Sequence, residues 1–355
     1  MSGAPSPRPR GQWTHWHLFQ ASVPASCRVT LDEGDTPLQE APELAAALGV
    51  PGLRLKREDL SPTGSHKARS LGLLVSDLLA RGQDQAVISS SGNAAVAAAA
   101  YAREAGIKVL CLISPLTPRV KLEAILEQPV TVVASSQPVV LLHHASTRWG
   151  LVDLRASTNP LGPAAYRGIA AELAESGPWL AVFTFANSGA TALGIHRGFQ
   201  LMGEPQPQLH VVEGWPGGEM TRPWYRDAEE HLPSGVGDLG TRRSRLAPAV
   251  RRAMRQSGGR GWRVSREEME AVREQAASLR PGTSWEGLAA LAAARRWAQT
   301  EGPRGAVGVL LTGAENQLDP SPHPAISRVV PVAENPAELD TVLTQAGFRR
   351  QPHGS

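Results

Sequence analysis

Residues 86–114, AVISSSGNAAVAAAAYAREAGIKVLCLIS, decide how the chain folds. The apolar run at 86–90 has the length of a buried strand. The alanine-rich segment at 94–106 has the length of a helix that stops at Gly106. A second apolar run, 107–114, follows at once. A strand, a helix and a strand on short connections make a crossover unit, which lays its two strands parallel in one sheet with the helix on its face.

The same alternation continues both ways. LRLKRED (53–59) reads as a strand and LGLLVSDLLARG (71–82) as a helix ended by Gly82. Downstream come the helix RVKLEAILEQ and the strand VTVVAS (130–135). Beyond a looser stretch, AAYRGIAAELAE is helical, WLAVFTF (179–185) a strand, TALGIHRGFQLMG a helix and QLHVVEG (208–214) a strand. Two helices, SREEMEAVREQAASL and WEGLAALAAARRWAQ, then precede the strand GAVGVLLTG (305–313). The two runs, 53–135 and 179–313, predict an α/β fold of two open parallel-sheet modules, each with helices on both faces, and a cleft between them. The Pro-, Gly-, Ser- and Arg-rich residues 1–12 predict a disordered tail, and the terminal FRRQPHGS a loose end.

Composition narrows the function classes. A formal net charge of +3 on 355 residues is too small to mark a nucleic-acid surface. The arginines of TRRSR and RRAMR, interrupted further on by Glu267, Glu268 and Glu270, read as a solvated helical face or loop. Cys27 and Cys111 cannot form a disulfide framework, and no Cys/His spacing suggests a metal site. No segment approaches the roughly 20 apolar residues of a membrane helix. The expectation is a soluble cytoplasmic protein that takes a small molecule, with no nucleic-acid or membrane partner.

Ligands of open parallel sheets bind beyond the carboxyl ends of the strands, and three loops there carry chemistry. SPTGSHKARS (61–70) places Lys67 at a helix start. Only four lysines occur, Lys56, Lys67, Lys108 and Lys121, against 36 basic residues in all, so the placement asks for a reason. A helix N-terminus and burial both favour the neutral, nucleophilic amine, although a surface lysine at a helix start would read the same way. SSSGNAA (89–95) offers hydroxyls, backbone N–H groups and the Asn93 amide as an anion nest; an ordinary helix cap accounts for it equally well. ANSGAT (186–191) has the parts of a phosphate cup, or of a plain loop. Neither GxGxxG nor GxxxxGK[ST] occurs, which argues against a dinucleotide enzyme and a P-loop NTPase.

Taken in order, LKREDLSPTGSHKARS, SSGNAAVAAAAYAREAGIKV, ANSGATALGIHRGF and LLTG resemble the fold-type II pyridoxal-phosphate enzymes, and within them threonine synthase; the tryptophan synthase β-subunit is a relative. EGDTPLQEAPELAAALGVPGLRLKREDL and NPLGPAAYRGIAAEL add to the likeness, which runs from about residue 30 to 320. The resemblance implies pyridoxal 5'-phosphate as cofactor, held by Lys67 as a Schiff base, with His66 near its phosphate and Asn93 on its phenolic oxygen. Asn187, Ser188, Gly189, Ala190 and Thr191 would cradle the phosphate, and Thr312 would face the pyridine nitrogen. Ser90, Ser91, Gly92 and Ala94 would hold the substrate carboxylate. It also implies a larger module of residues 13–70 and 155–355, a smaller one of 71–154, and a homodimer.

The chain departs from that family pattern near the substrate. Ala68 stands where Asp usually follows the lysine, and Ala94 where Thr follows the asparagine. Asn187 and Ala190 replace glycines of the cup, and PGTSWEG replaces a Glu-Pro pair. Residues 128–148 lack the usual Gly-Ala lead-in. The implied function is elimination or replacement at the β- or γ-carbon of an amino acid, threonine synthase-like with an altered substrate. The alternatives are a serine/threonine dehydratase, a β-replacement synthase, and a non-catalytic binding or regulatory protein on the same fold.

Overall fold

The structure, a computed structural model, describes residues 11–214, 218–224, 244–280, 282–302, 304–314 and 326–351. In chain order its strands are β1 (Leu38–Glu40), β2 (Leu53–Lys56), β3 (Gln85–Ser89), β4 (Lys108–Ile113) and β5 (Thr131–Ala134), then β6 (Val152–Asp153), β7 (Ala181–Phe185), β8 (Gln208–Glu213), β9 (Gly261–Arg263) and β10 (Val307–Leu310). Among the described residues they form a six-stranded sheet, β1-β2-β10-β7-β8-β9, and a four-stranded sheet, β5-β4-β3-β6. The β1–β2 pair is antiparallel and the pairs around it are parallel. The smaller sheet is parallel throughout its pairs. Two parallel-sheet modules are therefore present, as expected.

Strand β10, last in sequence, sits in the middle of the larger sheet. Val309 pairs with Leu55 of β2 on one side and Phe183 of β7 on the other. Its carboxyl end thus emerges between the loop that leads to Lys67 and the loop that leads to Gly189. Helices cover both faces, as a parallel sheet requires. On one face, helices Arg266–Gln275 and Trp285–Glu301 bury Met269, Val272, Leu288, Leu291 and Trp297 against Phe183 and Val309. On the other, Arg167–Ala174 and Ala190–Met202 bury Ile169, Leu173, Ile195 and Phe199 against Val182 and Leu310. Local signals set the helix ends. Gly106 closes helix Asn93–Ala105 in the left-handed region at φ 65°. Ser265 and Glu268 form a reciprocal capping box at the start of Arg266–Gln275.

Several expectations need correction. The strand expected at 53–59 ends at Lys56, and a 3-10 turn, Glu58–Leu60, follows. The looser stretch contains helix Pro138–Trp149, which buries Leu141, Leu142, Ala145 and Trp149. RRAMR lies in helix Ala247–Gln256, with Ala253 and Met254 buried and Arg252 and Arg255 exposed, the solvated face expected of it. Of the tail, residues 1–10 lie outside the described residues, but Gln12 is fully buried and its amide donates to Glu33. The chain end is not loose either. Phe348 is buried, Arg349 pairs with Asp84 at 2.5 Å and Gln351 bonds the same carboxylate; residues 352–355 lie outside the described residues. The segment 326–351 was expected with the larger module. Instead Ala333, Leu339, Leu343 and Phe348 pack on Val87, Leu110 and Val133 of the smaller sheet.

Candidate active site

Lys67 is the first residue of helix Lys67–Ala80, and a bolt of buried charge holds that helix start. The guanidinium of Arg69, fully buried, grips Glu58 at 2.7 and 2.8 Å and Glu172 at 2.6 and 2.8 Å. Lys56, at the end of β2, adds a 2.5 Å pair to Glu172. Burial alone would raise the Glu172 carboxyl, but Arg69 and Lys56 hold it down at about 2. Two positions after Lys67, one side chain thus ties the helix to the turn after β2 and to helix Arg167–Ala174, and Lys56 brings in β2 through Glu172. A buried pair broken on one side costs about 3–5 kcal/mol, so the helix start is rigid.

The amine is placed by its neighbour. His66 Nδ1 lies 2.7 Å from the carbonyl oxygen of Thr312, so it donates there, and Nε2 is left to accept from Lys67 Nζ at 3.0 Å. The His66 N–H donates to the same carbonyl at 3.0 Å. Burial, and then the Lys67 charge, push the imidazole well below its ordinary range, which keeps it neutral and able to accept. Burial likewise brings the Lys67 amine from 10.5 down to about 8, with the Glu286 carboxylate opposing. Near neutral pH the free amine is then about two orders of magnitude more abundant than for an ordinary lysine. The ring nitrogens of His66 are thus committed to the Thr312 carbonyl and the Lys67 amine.

The two other loops close on this point. Gly313 bridges Ser65 across the strand end, and a Cβ on it would lie 3.2 Å from Asn93 Nδ2 and 3.7 Å from Ser284 Oγ. Lys121 donates to Asn93 Oδ1. Ser90 Oγ accepts from Gly92 N at 3.3 Å and Ser91 Oγ from Ser114 N at 2.8 Å, so both hydroxyls shape the loop and keep their protons to donate. Ala95 and Val96 N–H turn back to the Gly92 carbonyl, which leaves the N–H groups of Asn93 and Ala94 ahead of the first helical acceptor. In the third loop Gly189 stands at φ +86°, and a Cβ there would meet Val250 at 2.6 Å and Met220 at 2.8 Å, so only glycine fits this turn into the helix. Ala190 and Thr191 follow in its first turn, Ser188 receives Ser244 Oγ on its carbonyl at 2.6 Å, and Asn187 is exposed. Tyr166, fully buried, joins this cup to the lysine. Its ring lies 5.4 Å from His66, its hydroxyl donates to Ser70 at 3.0 Å, and it also interacts with Thr191.

The described structure therefore brings Lys67, His66, Asn93, the Gly189–Thr191 turn and Thr312 around one strand end. Sequence reasoning missed Tyr166, Lys121, Ser284 and Glu286. Lys121 carried a signal, being one of four lysines, whereas Tyr166 and Glu286 lay unremarked inside quoted segments. Three other histidine and arginine side chains are committed to contacts elsewhere. His144 pairs with Asp340 at 2.7 Å, His196 meets Gln256 at 3.2 Å, and Arg167 holds the Leu18 carbonyl at 2.7 Å.

These residues fit a phosphorylated aldehyde cofactor. The hydroxyls of Ser65 and Ser284 are buried without a partner near Gly313, the Lys67 amine has lowered basicity, and a glycine cradle stands at a helix start. Comparison with known proteins agrees. The solved structure of maize serine racemase superposes with a TM-score of 0.69 at 17% identity, over 80% of this chain and 89% of that one. The processed threonine deaminase isoform 2 of Solanum lycopersicum gives 0.68 at 18% identity, over 96% and 90%. At such identity these likenesses speak for the fold, that of the fold-type II enzymes. The chain belongs to the family of pyridoxal-phosphate dependent enzymes, whose family model matches residues 29–313. Its cofactor is pyridoxal phosphate. Threonine synthase of Mycobacterium leprae is 49% identical over 85 residues, 24% of this chain and 23% of that protein, so the alignable part spans about a quarter of the relative.

Proposed function

We propose that the protein catalyses elimination or replacement at the β- or γ-carbon of an amino acid that carries a leaving group. The observation that supports this most directly is the Lys67 amine, of lowered basicity and 3.0 Å from a neutral imidazole, at the end of the strand that bears Thr312. Bound there, pyridoxal phosphate would supply an electron sink for charge developing at the substrate α-carbon. Lys67 would hold the cofactor and, once released by the substrate amine, carry protons at the α- and β-carbons. His66 would steady the amine through its single acceptor nitrogen. The backbone N–H groups of Gly189–Thr191 would hold the phosphate, and Ser90, Ser91 and the Asn93–Ala94 N–H groups the substrate carboxylate. Thr312 offers a hydroxyl where a carboxylate would keep the ring nitrogen protonated, a choice that favours prompt expulsion of a leaving group over transamination. Among the described residues no helix is long and apolar enough to cross a membrane.

The test is a visible absorption spectrum with added pyridoxal phosphate, before and after borohydride, beside Lys67→Ala. A band lost on reduction, with the label on the Lys67 peptide, is the expected result; no band from folded wild-type protein refutes the proposal. Product analysis on amino acids bearing phosphate, hydroxyl or acyl groups then separates the chemistries. An α-keto acid with ammonia marks a dehydratase, and a new amino acid marks replacement.

A further inference from the structure

Three of the four lysines have evident work. Lys67 faces the site, Lys56 neutralises Glu172, and Lys108 pins the chain end through the Gly347 carbonyl at 2.6 Å. The fourth, Lys121, stands in the first turn of helix Arg119–Leu126 and reaches across to the first residue of another helix, donating to Asn93 Oδ1 at 2.5 Å. Both are part-buried, and neither belongs to the smaller sheet's apolar core.

The chemistry of the pair is asymmetric. An asparagine amide has one accepting end and one donating end, and turning it over exchanges them. A lysine ammonium has three protons and no acceptor, so it can meet the oxygen end only. With Oδ1 held by Lys121, Nδ2 must face the opposite way. It does so, lying 3.2 Å from where a Cβ on Gly313 would stand, and Gly313 follows the residue whose carbonyl anchors His66. Glu286, from the first turn of helix Trp285–Glu301, acts electrostatically on both Lys67 and Lys121, which places the two lysines around one carboxylate.

We infer that Lys121 is a positioning residue for the cofactor: it locks the Asn93 amide with its N–H end toward the strand end beside Lys67, where an anionic phenolic oxygen can accept from it. The inference rests on the reading of Asn93 as the partner of that oxygen. A free amide has to be oriented at the anion's own cost on binding; the held one already presents its donor. Glycine at 313 leaves the room that the amide needs.

The experiment compares pyridoxal phosphate binding, by equilibrium dialysis and by the pH midpoint of the visible band, in wild type, Lys121→Met, Asn93→Leu and the double variant. One oriented hydrogen bond to an anion corresponds to roughly a tenfold change in affinity. Each single variant should bind about tenfold more weakly and move the midpoint in the same direction, and the double variant should be no worse than Asn93→Leu. Lys121→Arg, another pure donor, should keep most of the affinity, whereas Lys121→Gln, which can present either end, should not. Circular dichroism checks folding, and Lys121→Gln carries the test if Lys121→Met fails to fold. Losses that multiply in the double variant would mean that Lys121 acts by its own route, on phosphate or substrate, and would overturn the inference while leaving the Asn93 reading intact. An unchanged midpoint in Asn93→Leu would instead overturn that reading and the inference with it.

Discussion

Lys67→Met keeps the reach of the side chain and removes the amine, and its clearest consequence is for stability. Burial lowers the Lys67 amine from 10.5 to about 8, with Glu286 pulling the other way. The unfolded chain therefore holds the proton more tightly than the folded one. The cost is complete below pH 8, shrinks as pH rises from 8 to 10.5, and is gone above that. A fall from 10.5 to about 8 corresponds to about 3 kcal/mol. Losing the 3.0 Å contact with His66 returns about 1 kcal/mol of that. Cofactor-free Lys67→Met should accordingly be more stable than cofactor-free wild type by about 2 kcal/mol at pH 7, with no advantage left at pH 10.5. Urea unfolding followed by circular dichroism at the two pH values reads this directly. A variant no more stable than wild type at pH 7, or a gain that is the same at both pH values, would refute the argument that the amine sits in its place at a cost.

Three further outcomes are expected. Gly189→Ala forces a Cβ against Val250 and Met220 at a positive φ; it should destabilise the protein by about 1–3 kcal/mol and abolish measurable cofactor binding by dialysis. Glu172→Gln removes a carboxylate held down at about 2 by Arg69 and Lys56. Its stability deficit should be constant above pH 5 and disappear as pH falls through 4.5 toward 2, because a depressed carboxyl stabilises only while ionised; a deficit independent of pH would contradict the ion-pair account. His66→Phe leaves Lys67 Nζ without its acceptor and should slow borohydride trapping of the cofactor on the Lys67 peptide roughly tenfold, one hydrogen bond's worth, as followed by mass spectrometry.

The strands and helices of residues 86–114 were legible because a parallel sheet buried on both faces writes itself as short apolar runs, and the crossover helix as alanine. What stayed hidden was hidden for physical reasons. β1 and β9 have three residues each, too few for any periodicity to register. Helix Pro138–Trp149 begins at a proline and carries two histidines, so its apolar stripe of Leu141, Ala145 and Trp149 read as loop. The segment 326–351 gave no hint that it returns to the smaller sheet, since its partners Val87 and Leu110 lie more than two hundred residues earlier. A return of that kind is a property of topology, and one sequence carries no long-range pairing information.

The site divides the same way, by whether a residue acts through its type or through its neighbours. Lys67 stood out because lysine is scarce in this arginine-rich chain and the proposed role needs a primary amine. Gly189 was legible because its conformation excludes other residues. The tautomer of His66 was not legible, since it is fixed by a carbonyl 246 positions away. Lys121 had the compositional signal of Lys67 without a loop motif to announce it, and its meaning appears only when the amide it touches is seen to have two ends. The departures from the family pattern follow one logic with these findings. Ala68 is fully buried in an apolar cluster, where a carboxylate would be desolvated, and the neighbouring Arg69 is already paired with Glu58 and Glu172. Ala94 leaves a bare N–H in the proposed carboxylate nest, where a hydroxyl would add one more donor. The first change leaves the Arg69 anchor of the Lys67 helix intact, and on the proposed reading the second falls on the substrate side, so the leaving group has to be measured.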